Sequence, residues 1–277
     1  MKCAWQEMLS IMPMNLRRDI DRLGRESLQE LRLRINAPPE LVLSNQSLWL
    51  TECATQEMLD FIINAASRYS PWAASTMARG YLTAPGGHRI GICGEVVMQQ
   101  GKVTGFRRVQ SLCIRIARDY SGVWCSREPL DGSVLILGAP GCGKTTLLRD
   151  LIRVIAETEA VTVIDERGEL FPDGFRRGKR MDLLTGCPKD TGILQAIRTM
   201  GPHAVAADEI TSEEDTVALL RAAHCGVRLV CTAHAASMRE FQSRPVYQRL
   251  IKNRIFQTVL VLDAQKRYRI ERMKHDA

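Results

Sequence analysis

Residues 138–145 have the sequence Gly138-Ala-Pro-Gly-Cys-Gly-Lys-Thr145, which matches the phosphate-binding pattern G-x-x-x-x-G-K-[ST] and is called the P-loop below. Its glycines let successive backbone N–H groups turn inward around phosphate oxygens, and Lys144 then bridges the β- and γ-phosphates. An apolar strand is predicted before the pattern, at residues 133–137, and an amphipathic helix after it. The sequence therefore predicts a nucleotide-binding loop in its full context. The residues predicted to contact the nucleotide are Gly138, Ala139, Pro140, Gly141, Cys142, Gly143, Lys144, Thr145 and Thr146.

A second chemical signal is the segment Ala204-Val-Ala-Ala-Asp208-Glu209, an apolar strand that ends in two carboxylates. Parallel strands bind ligands outside their carboxyl ends, so we expect this strand beside the strand that precedes the P-loop. Asp208 and Thr145 are predicted to bind Mg²⁺, and Glu209 is predicted to polarise an attacking water. Together the two segments predict a Walker A and Walker B pair.

Two further predicted strands end in polar residues. Asp165 and Glu166 follow one of them, and Thr232 and His234 close the other. Thr232 could sense the γ-phosphate through a hydrogen bond, and His234 could relay that state. The alternative for each is a satisfied core residue. All four are candidates for the catalytic site because they lie on the sheet that is predicted to bind the nucleotide.

Phosphoryl transfer also gains from a cation near the γ-phosphate, often donated by a neighbouring subunit. Arg89 and Arg115, on predicted strands of the N-terminal part, are the candidates, although arginines on strands are usually solvated. The basic segment 176–180 is predicted to be a loop. It could contact a nucleic acid, a membrane surface or an adjacent subunit, and few aromatic residues accompany it, which weakens stacking on single strands.

Length and composition limit the remaining possibilities. The chain has 277 residues, 45% hydrophobic and 25% charged, with a net charge of +7, as in an ordinary globular protein. This length predicts two domains, an α+β domain at residues 1–120 and a P-loop domain at residues 121–277. We expect no membrane span and no signal peptide. Nine scattered cysteines without a Cys-x-x-Cys pair favour a reducing, cytoplasmic compartment over a disulfide scaffold or a zinc site.

The pattern of apolar residues predicts the elements of each domain. In the first we expect a helical opening at 5–23, a strand at 31–35, and a helix at 57–68 that buries Met58, Phe61, Ile62 and Ala65. In the second, strands at 133–137, 160–164, 203–207, 228–231 and 257–262 alternate with helices, which is typical of a parallel α/β sheet. Ser212-Glu-Glu-Asp215 predicts a capping box, and Gly226 the end of that helix.

In these motifs the chain resembles the stage III sporulation protein AA family of endospore-forming bacteria. That family is related to the type II and type IV secretion ATPases. The resemblance covers about nine-tenths of the chain, and the Gly-Gly-His-Arg segment upstream of the P-loop is its most specific part. The matching segments, besides the P-loop, are Leu31-Arg-Leu-Arg, Pro38-Pro39, Gly80-Tyr81, Gly86-Gly-His-Arg-Ile-Gly-Ile-Cys-Gly94, Val163-Ile-Asp-Glu-Arg-Gly-Glu169, Ile197-Arg-Thr-Met200, Asp208-Glu-Ile210 and Thr232-Ala-His234.

The resemblance implies a RecA-like P-loop NTPase core of the ASCE type with a smaller N-terminal α+β domain. Asp165, Glu166 and Glu169 fall where secretion ATPases have an Asp box, and His234 falls where they have a His box. Secretion ATPases usually have Gly-Glu in Walker B, whereas this chain has Asp208-Glu209. The tandem histidine pairs and zinc-binding cysteines of some relatives are absent from the sequence.

The resemblance also implies ATP hydrolysis with Mg²⁺, in a homohexamer in the mother cell that works with membrane proteins of a channel into the forespore. The leading hypothesis is therefore an ATPase in which Lys144, Glu209, Asp165, Glu166, Thr232, His234, Arg89 and Arg115 form the candidate catalytic set. One alternative is a nucleic-acid-binding ATPase, suggested by the charge of +7 and the basic segment 176–180, although that charge needs no nucleic acid. The other is a scaffold that binds ATP and barely hydrolyses it.

Overall fold

The computed structural model describes residues 1–67, 76–126 and 130–273. The chain forms two compact units. The first comprises Met1–Asp119 together with Pro172–Phe175, and the second comprises Tyr120–Phe171 and Arg176–Ala277. Among the described residues, no helix combines the length and the apolar character that a membrane crossing requires.

The first unit contains a six-stranded antiparallel sheet with strand order β3-β2-β1-β6-β5-β4. A hydrophobic core forms between the sheet and its helices. The described elements are α1 (Trp5–Ser10), α2 (Met14–Leu23), β1 (Leu28–Arg34), β2 (Glu40–Leu43), β3 (Ser47–Trp49), α3 (Gln56–Ser67), β4 (Tyr81–Thr83), a 3₁₀ turn (Pro85–Gly87), β5 (Arg89–Gln99) and β6 (Lys102–Arg115).

Two sequence expectations for this unit are wrong in detail. The helical opening is two helices, α1 and α2, because Pro13 has no N–H to continue a helix and instead precedes the first residue of α2. In α3 the buried face consists of Leu59, Ile62, Ile63 and Ala66, and Phe61 is 47% exposed. Apolar residues lie on both sides of this helix, so the periodicity of its sequence is compatible with either of two buried faces. Packing of the helix on the sheet decides which face is buried. Arg68, predicted as its last residue, lies outside the described residues.

The second unit contains a seven-stranded sheet with strand order β13-β12-β7-β11-β10-β8-β9. All neighbouring strands are parallel except the pair β12 and β13, which confirms the predicted parallel α/β sheet. The described elements are β7 (Val134–Gly138), α4 (Lys144–Ile155), β8 (Val161–Asp165), β9 (Met181–Thr185), α5 (Lys189–Thr199), β10 (Ala204–Ala207), α6 (Glu213–His224), β11 (Arg228–His234), α7 (Met238–Ser243), a 3₁₀ turn (Pro245–Tyr247), α8 (Gln248–Lys252), β12 (Thr258–Leu262) and β13 (Tyr268–Arg272).

The central strands of this sheet are buried on both faces, and a separate hydrophobic cluster packs on each. This is the reason that they appear in the sequence as short continuous apolar runs rather than as alternating patterns. The predicted capping box of α6 is present: Asp215 N–H donates to Ser212 Oγ over 3.1 Å, and the Asp215 carboxylate accepts from the Ser212 N–H. Strand β9 was not predicted, because it is a partly exposed edge strand without a regular apolar period.

Candidate nucleotide-binding and catalytic site

The P-loop connects the carboxyl end of β7 to the first residue of α4. Gly141 and Gly143 have φ angles of 76° and 99°, a left-handed backbone that only glycine adopts without strain. A Cβ at Gly138 would collide with Cys142 Sγ, so this position also requires glycine. The glycine spacing of the motif is therefore a consequence of the backbone path, and that path leaves the N-terminus of α4 facing the site.

Lys144, the first residue of α4, is buried as a whole residue at the end of this loop. Its Nζ donates to the carbonyl oxygens of Gly138 and Ala139, each over 2.9 Å. The same Nζ lies 3.0 Å from Nδ1 of His234 at the end of β11. The P-loop lysine is thus held by groups at the ends of β7 and β11, next to the N–H groups that would receive phosphate.

Asp208 joins the end of β10 to the P-loop. Its Oδ2 accepts a 2.7 Å hydrogen bond from Thr145 Oγ1, and its Oδ1 accepts one from Thr232 Oγ1. The expectation that β10 lies directly beside β7 is wrong, because β11 lies between them. Thr232 on that intervening strand provides the connection, since its hydroxyl also accepts from the Glu209 N–H over 2.7 Å. The structure therefore brings Thr145, Asp208, Glu209 and Thr232 together.

Glu209 has a φ angle of 58°, which is uncommon for a residue with a side chain. Two hydrogen bonds hold this backbone: its own N–H donates to Thr232 Oγ1, and the Ile210 N–H donates to the Thr232 carbonyl over 2.9 Å. The Glu209 carboxylate contacts Nε2 of His234. Strained residues held in this way are often found in active sites, because the surrounding contacts must compensate for the strain. The imidazole thus lies between Glu209 and Lys144.

Asp165 and Glu166 lie at the end of β8, but their contacts differ from those of Asp208. Asp165 is buried, and its two oxygens accept the N–H groups of Glu169, Leu170 and Phe171 over 2.8, 2.8 and 3.1 Å. Burial raises the pKa of its carboxyl, and the hydrogen bonds from Phe171 and Leu170 oppose that rise. These contacts favour a role in holding the loop after β8, and a catalytic role for Asp165 stays a prediction.

The two candidate arginines belong to the first unit, whereas the P-loop and the acidic residues belong to the second. Arg89 and Arg115 face each other in the register of β5 and β6. The guanidinium of Arg89 lies over the ring of Tyr81, 4.5 Å from its centroid, and Arg115 forms a 3.4 Å ion pair with Glu30. A role for either in catalysis stays a prediction.

Two cavities lined by described residues adjoin the P-loop. The first, about 290 Å³, is lined by residues that include Gly141, Lys144, Asp208, Glu209 and His234. The second, about 230 Å³, shares Gly143 and Thr146 with the first. Its other lining residues are Tyr120, Val123, Cys142, Leu147, Leu262, Lys266 and Tyr268.

Sequence reasoning missed the aromatic wall of the second cavity. The ring of Tyr268 stacks on Trp124 with centroids 5.2 Å apart, and its hydroxyl accepts from the N–H groups of Cys125 and Ser126. No local motif marks these residues, because Trp124 and Tyr268 lie far apart in the sequence.

One buried cysteine of this sheet, Cys231, is part of the hydrophobic core. All nine cysteines are free thiols, and burial raises the pKa of Cys231, on β11, to about 12. A thiol with such a pKa is not a thiolate at neutral pH and behaves as a small apolar side chain.

Comparisons with known proteins show similarity to one family over most of the chain. The family model described as "Sporulation stage III, protein AA" matches residues 4–273. The chain is 34% identical to Stage III sporulation protein AA of Bacillus subtilis (strain 168), over 94% of this chain and 91% of that protein.

Solved structures share the fold at low sequence identity. The ATPase DotB of Legionella pneumophila has a TM-score of 0.60 at 18% identity, over 94% of this chain and 79% of that one. The pilus retraction motor PilT with bound ADP has a TM-score of 0.64 at 15% identity, over 89% and 76% of the two chains. The predicted fold class, a RecA-like P-loop core with a smaller α+β part, is confirmed by these similarities.

Proposed function

Because this chain belongs to the family of sporulation stage III protein AA, we propose that it is an Mg²⁺-dependent ATPase of the secretion-ATPase type. The observation that carries the proposal is the hydrogen bond between Thr145 and Asp208. It joins the phosphate-binding loop to the acidic end of β10, so that phosphate, metal and water-activating groups meet at one edge of the sheet.

The P-loop binds the phosphates. The N–H groups from Gly141 to Thr145 and the N-terminus of α4 provide donors and a positive potential for the phosphate oxygens. Lys144 then exchanges its bonds to the carbonyls of Gly138 and Ala139 for bonds to phosphate, because a phosphate oxygen carries more negative charge than a carbonyl.

Thr145 and Asp208 are the residues that would hold Mg²⁺. A hydroxyl and a carboxylate oxygen 2.7 Å apart are hard oxygen ligands, which suit this ion when phosphate and water complete its shell. The bound ion would neutralise charge on the phosphate oxygens. Thr232 fixes the other oxygen of Asp208, so that Oδ2 stays directed to Thr145.

Glu209 is the residue that orients and polarises the attacking water. Its left-handed backbone, fixed by Thr232, directs the carboxylate into the larger cavity beside Lys144. His234 contacts this carboxylate and Lys144 at the same time, so it connects the water-activating group to the phosphate-binding group. We assign His234 and Thr232 to holding these two groups in place.

The second cavity suits the nucleoside of ATP. It begins at Gly143 and Thr146, where the phosphate site ends, and it is bounded by Val123, Leu262 and the aromatic ring of Tyr268. A purine ring gains from stacking and from apolar contact in such a site.

From its membership of this family, we propose that the protein forms a homohexamer in the mother cell. There the hexamer drives a membrane-associated sporulation channel.

The alternative, a nucleic-acid motor, rests on the basic segment 176–180. Two of its cations contact their own unit: Lys179 pairs with Glu157 at 3.4 Å, and Arg180 donates to the Thr158 carbonyl over 2.9 Å. We therefore favour the secretion-type function.

The test is phosphate release from ATP by the purified protein. We expect Mg²⁺-dependent hydrolysis by the natural chain and none by Lys144→Ala, because alanine has no ammonium group to bridge the β- and γ-phosphates. A Lys179→Ala variant, which removes an exposed lysine of the same unit, serves as the control and should retain full activity. Equal turnover by Lys144→Ala and the natural protein would show that this loop is not the hydrolytic site.

A further inference from the structure

Lys189, the first residue of α5, has an unusual environment that the ATPase site as described does not use. Its side chain is 11% exposed, and its Nζ lies 3.1 Å from Glu166 Oε2 and 3.7 Å from Asp215 Oδ2. A cation at the N-terminus of a helix opposes the helix dipole, so this position costs free energy unless nearby carboxylates compensate. Here two carboxylates do so, and each belongs to a different segment of the chain.

Asp215 connects Lys189 to the loop that carries Glu209. Oδ2 of Asp215, the oxygen that faces Lys189, also accepts the N–H groups of Thr211 and Ser212 over 3.0 and 3.2 Å. Thr232 holds Glu209 and Ile210 at the other end of the same loop. Residues 209–212 are therefore fixed between Thr232 and Asp215, and Lys189 is the cation that balances the buried charge of Asp215.

Glu166 connects Lys189 to the neighbouring strand end. Glu166 follows β8, which pairs with β10, so its ion pair ties the loop after β8 to the start of α5. Lys189 and Arg167 also line a small cavity of about 40 Å³ with Asp208 and Glu209. The other charged residues of that cavity are Asp165, Glu166 and Glu169, all acidic. Lys189 thus places positive charge beside a group of carboxylates that would otherwise repel one another.

We propose that Lys189 is a positioning residue of the ATPase site, which acts through Asp215 and Glu166 to hold the Glu209 loop in its strained, active conformation. This inference rests on the proposed function. Lys189 contacts the carboxylates of Glu166 and Asp215 rather than the P-loop, so its removal should affect turnover far more than nucleotide binding.

The experiment compares Lys189→Met and Lys189→Arg with the natural protein. Lys189→Met keeps the length of the side chain and removes its charge, whereas Lys189→Arg keeps the charge. We expect Lys189→Met to lower kcat by about ten- to a hundredfold, as the loss of a supporting contact around a metal site commonly does, with the Kd of a non-hydrolysable ATP analogue changed less than about threefold. Lys189→Arg should restore most of kcat.

A second readout needs no nucleotide. Amide hydrogen exchange in the free protein should become faster at Thr211 and Ser212 in Lys189→Met, because their acceptor Asp215 loses its cation, while Lys189→Arg should keep the natural rates. Lys179→Met is the matched control, since it breaks a lysine–glutamate pair that is exposed on the same unit. It should leave both kcat and the exchange rates unchanged.

Each outcome has a distinct meaning. If the natural protein hydrolyses ATP and Lys189→Met retains its kcat and its exchange rates, this inference is overturned and the proposed function stands. If the natural protein hydrolyses no ATP, the proposed function fails and the inference fails with it. If Lys189→Met also loses binding of the analogue and the arginine variant recovers nothing, Lys189 is needed for folding and is not a positioning residue.

Discussion

Thr232 shows how an uncharged residue can organise a charged site. Its hydroxyl donates to Asp208 and accepts from the Glu209 N–H, so one oxygen atom sets the position of both acidic residues. The side chain is fully buried on β11, and water cannot replace these bonds easily.

A buried threonine without such bonds provides a matched comparison. Thr162 lies on β8 of the same sheet, is 2% exposed, and its hydroxyl makes no hydrogen bond within the part of the chain that the structure describes. The two threonines therefore differ in hydrogen bonding rather than in burial.

We expect Thr232→Val to lower the free energy of unfolding by about 1–3 kcal/mol, because valine has nearly the same shape and leaves the Glu209 N–H without its acceptor. Thr162→Val should be neutral or stabilising, since it removes a buried hydroxyl that has no described partner. Urea unfolding of both variants measures this difference. If the two substitutions cost the same, the Thr232 hydroxyl contributes nothing through these hydrogen bonds.

At the level of elements, His88 links three segments of the first unit. It follows the Gly86-Gly87 turn, it is fully buried, and its Nδ1 accepts the Ala117 N–H over 3.1 Å. Its Nε2, which therefore carries the proton, donates to the Ala4 carbonyl over 2.9 Å. A neutral imidazole can make both bonds, whereas a protonated one cannot accept from Ala117.

This geometry predicts a pH dependence of stability for the first unit. Burial lowers the pKa of His88, against the opposing effects of the Ala4 hydrogen bond and Glu7. The unfolded chain, with a histidine pKa of about 6.5, then binds more protons than the folded one below that pH. Stability should therefore be complete above about pH 6.5 and decrease as the pH falls from there toward the lowered pKa of the folded state.

His88→Gln tests this prediction, since its amide can donate and accept but does not titrate. Calorimetric unfolding of the natural protein and the variant at pH 7.5 and 5.5 should show a larger loss of stability on acidification in the natural protein. Equal losses in both would mean that His88 does not cause the pH dependence.

At the scale of the whole molecule, we predict that ATP binding promotes assembly of the proposed secretion-type hexamer. Glu209→Gln should still bind ATP through the P-loop but lose turnover, because an amide cannot act as the base toward water. It should therefore retain ATP and, in light scattering, increase in mass toward that of a hexamer when ATP and Mg²⁺ are added.

Lys144→Ala is the control for this measurement, because it lacks the cation that holds the phosphates and should keep its nucleotide-free mass. If Glu209→Gln keeps the same mass with and without ATP, assembly is not coupled to nucleotide. If it retains full turnover, Glu209 is not the water-activating residue.

The sequence by itself determined the features that depend on neighbouring residues. Short-range apolar periodicity predicts the parallel α/β pattern of the second unit. Glycine placement predicts the strand–loop–helix of the P-loop. Local hydrogen bonds form the capping box of Ser212 and Asp215. These features need only a few consecutive residues, so a single sequence contains the information for them.

The tertiary structure decided the features that depend on residues far apart in the chain. The packing of whole elements decides three of these features. They are the place of β11 between β7 and β10, the buried face of α3, and the ion pairs of Lys189. The role of Thr232 is of the same kind, because an isolated threonine on an apolar strand has no distinguishing pattern until the strand order places Asp208 and Glu209 beside it. Periodicity shows which residues can be buried, but only the packed fold decides which of them meet, since side chains from distant segments compete for the same interior space.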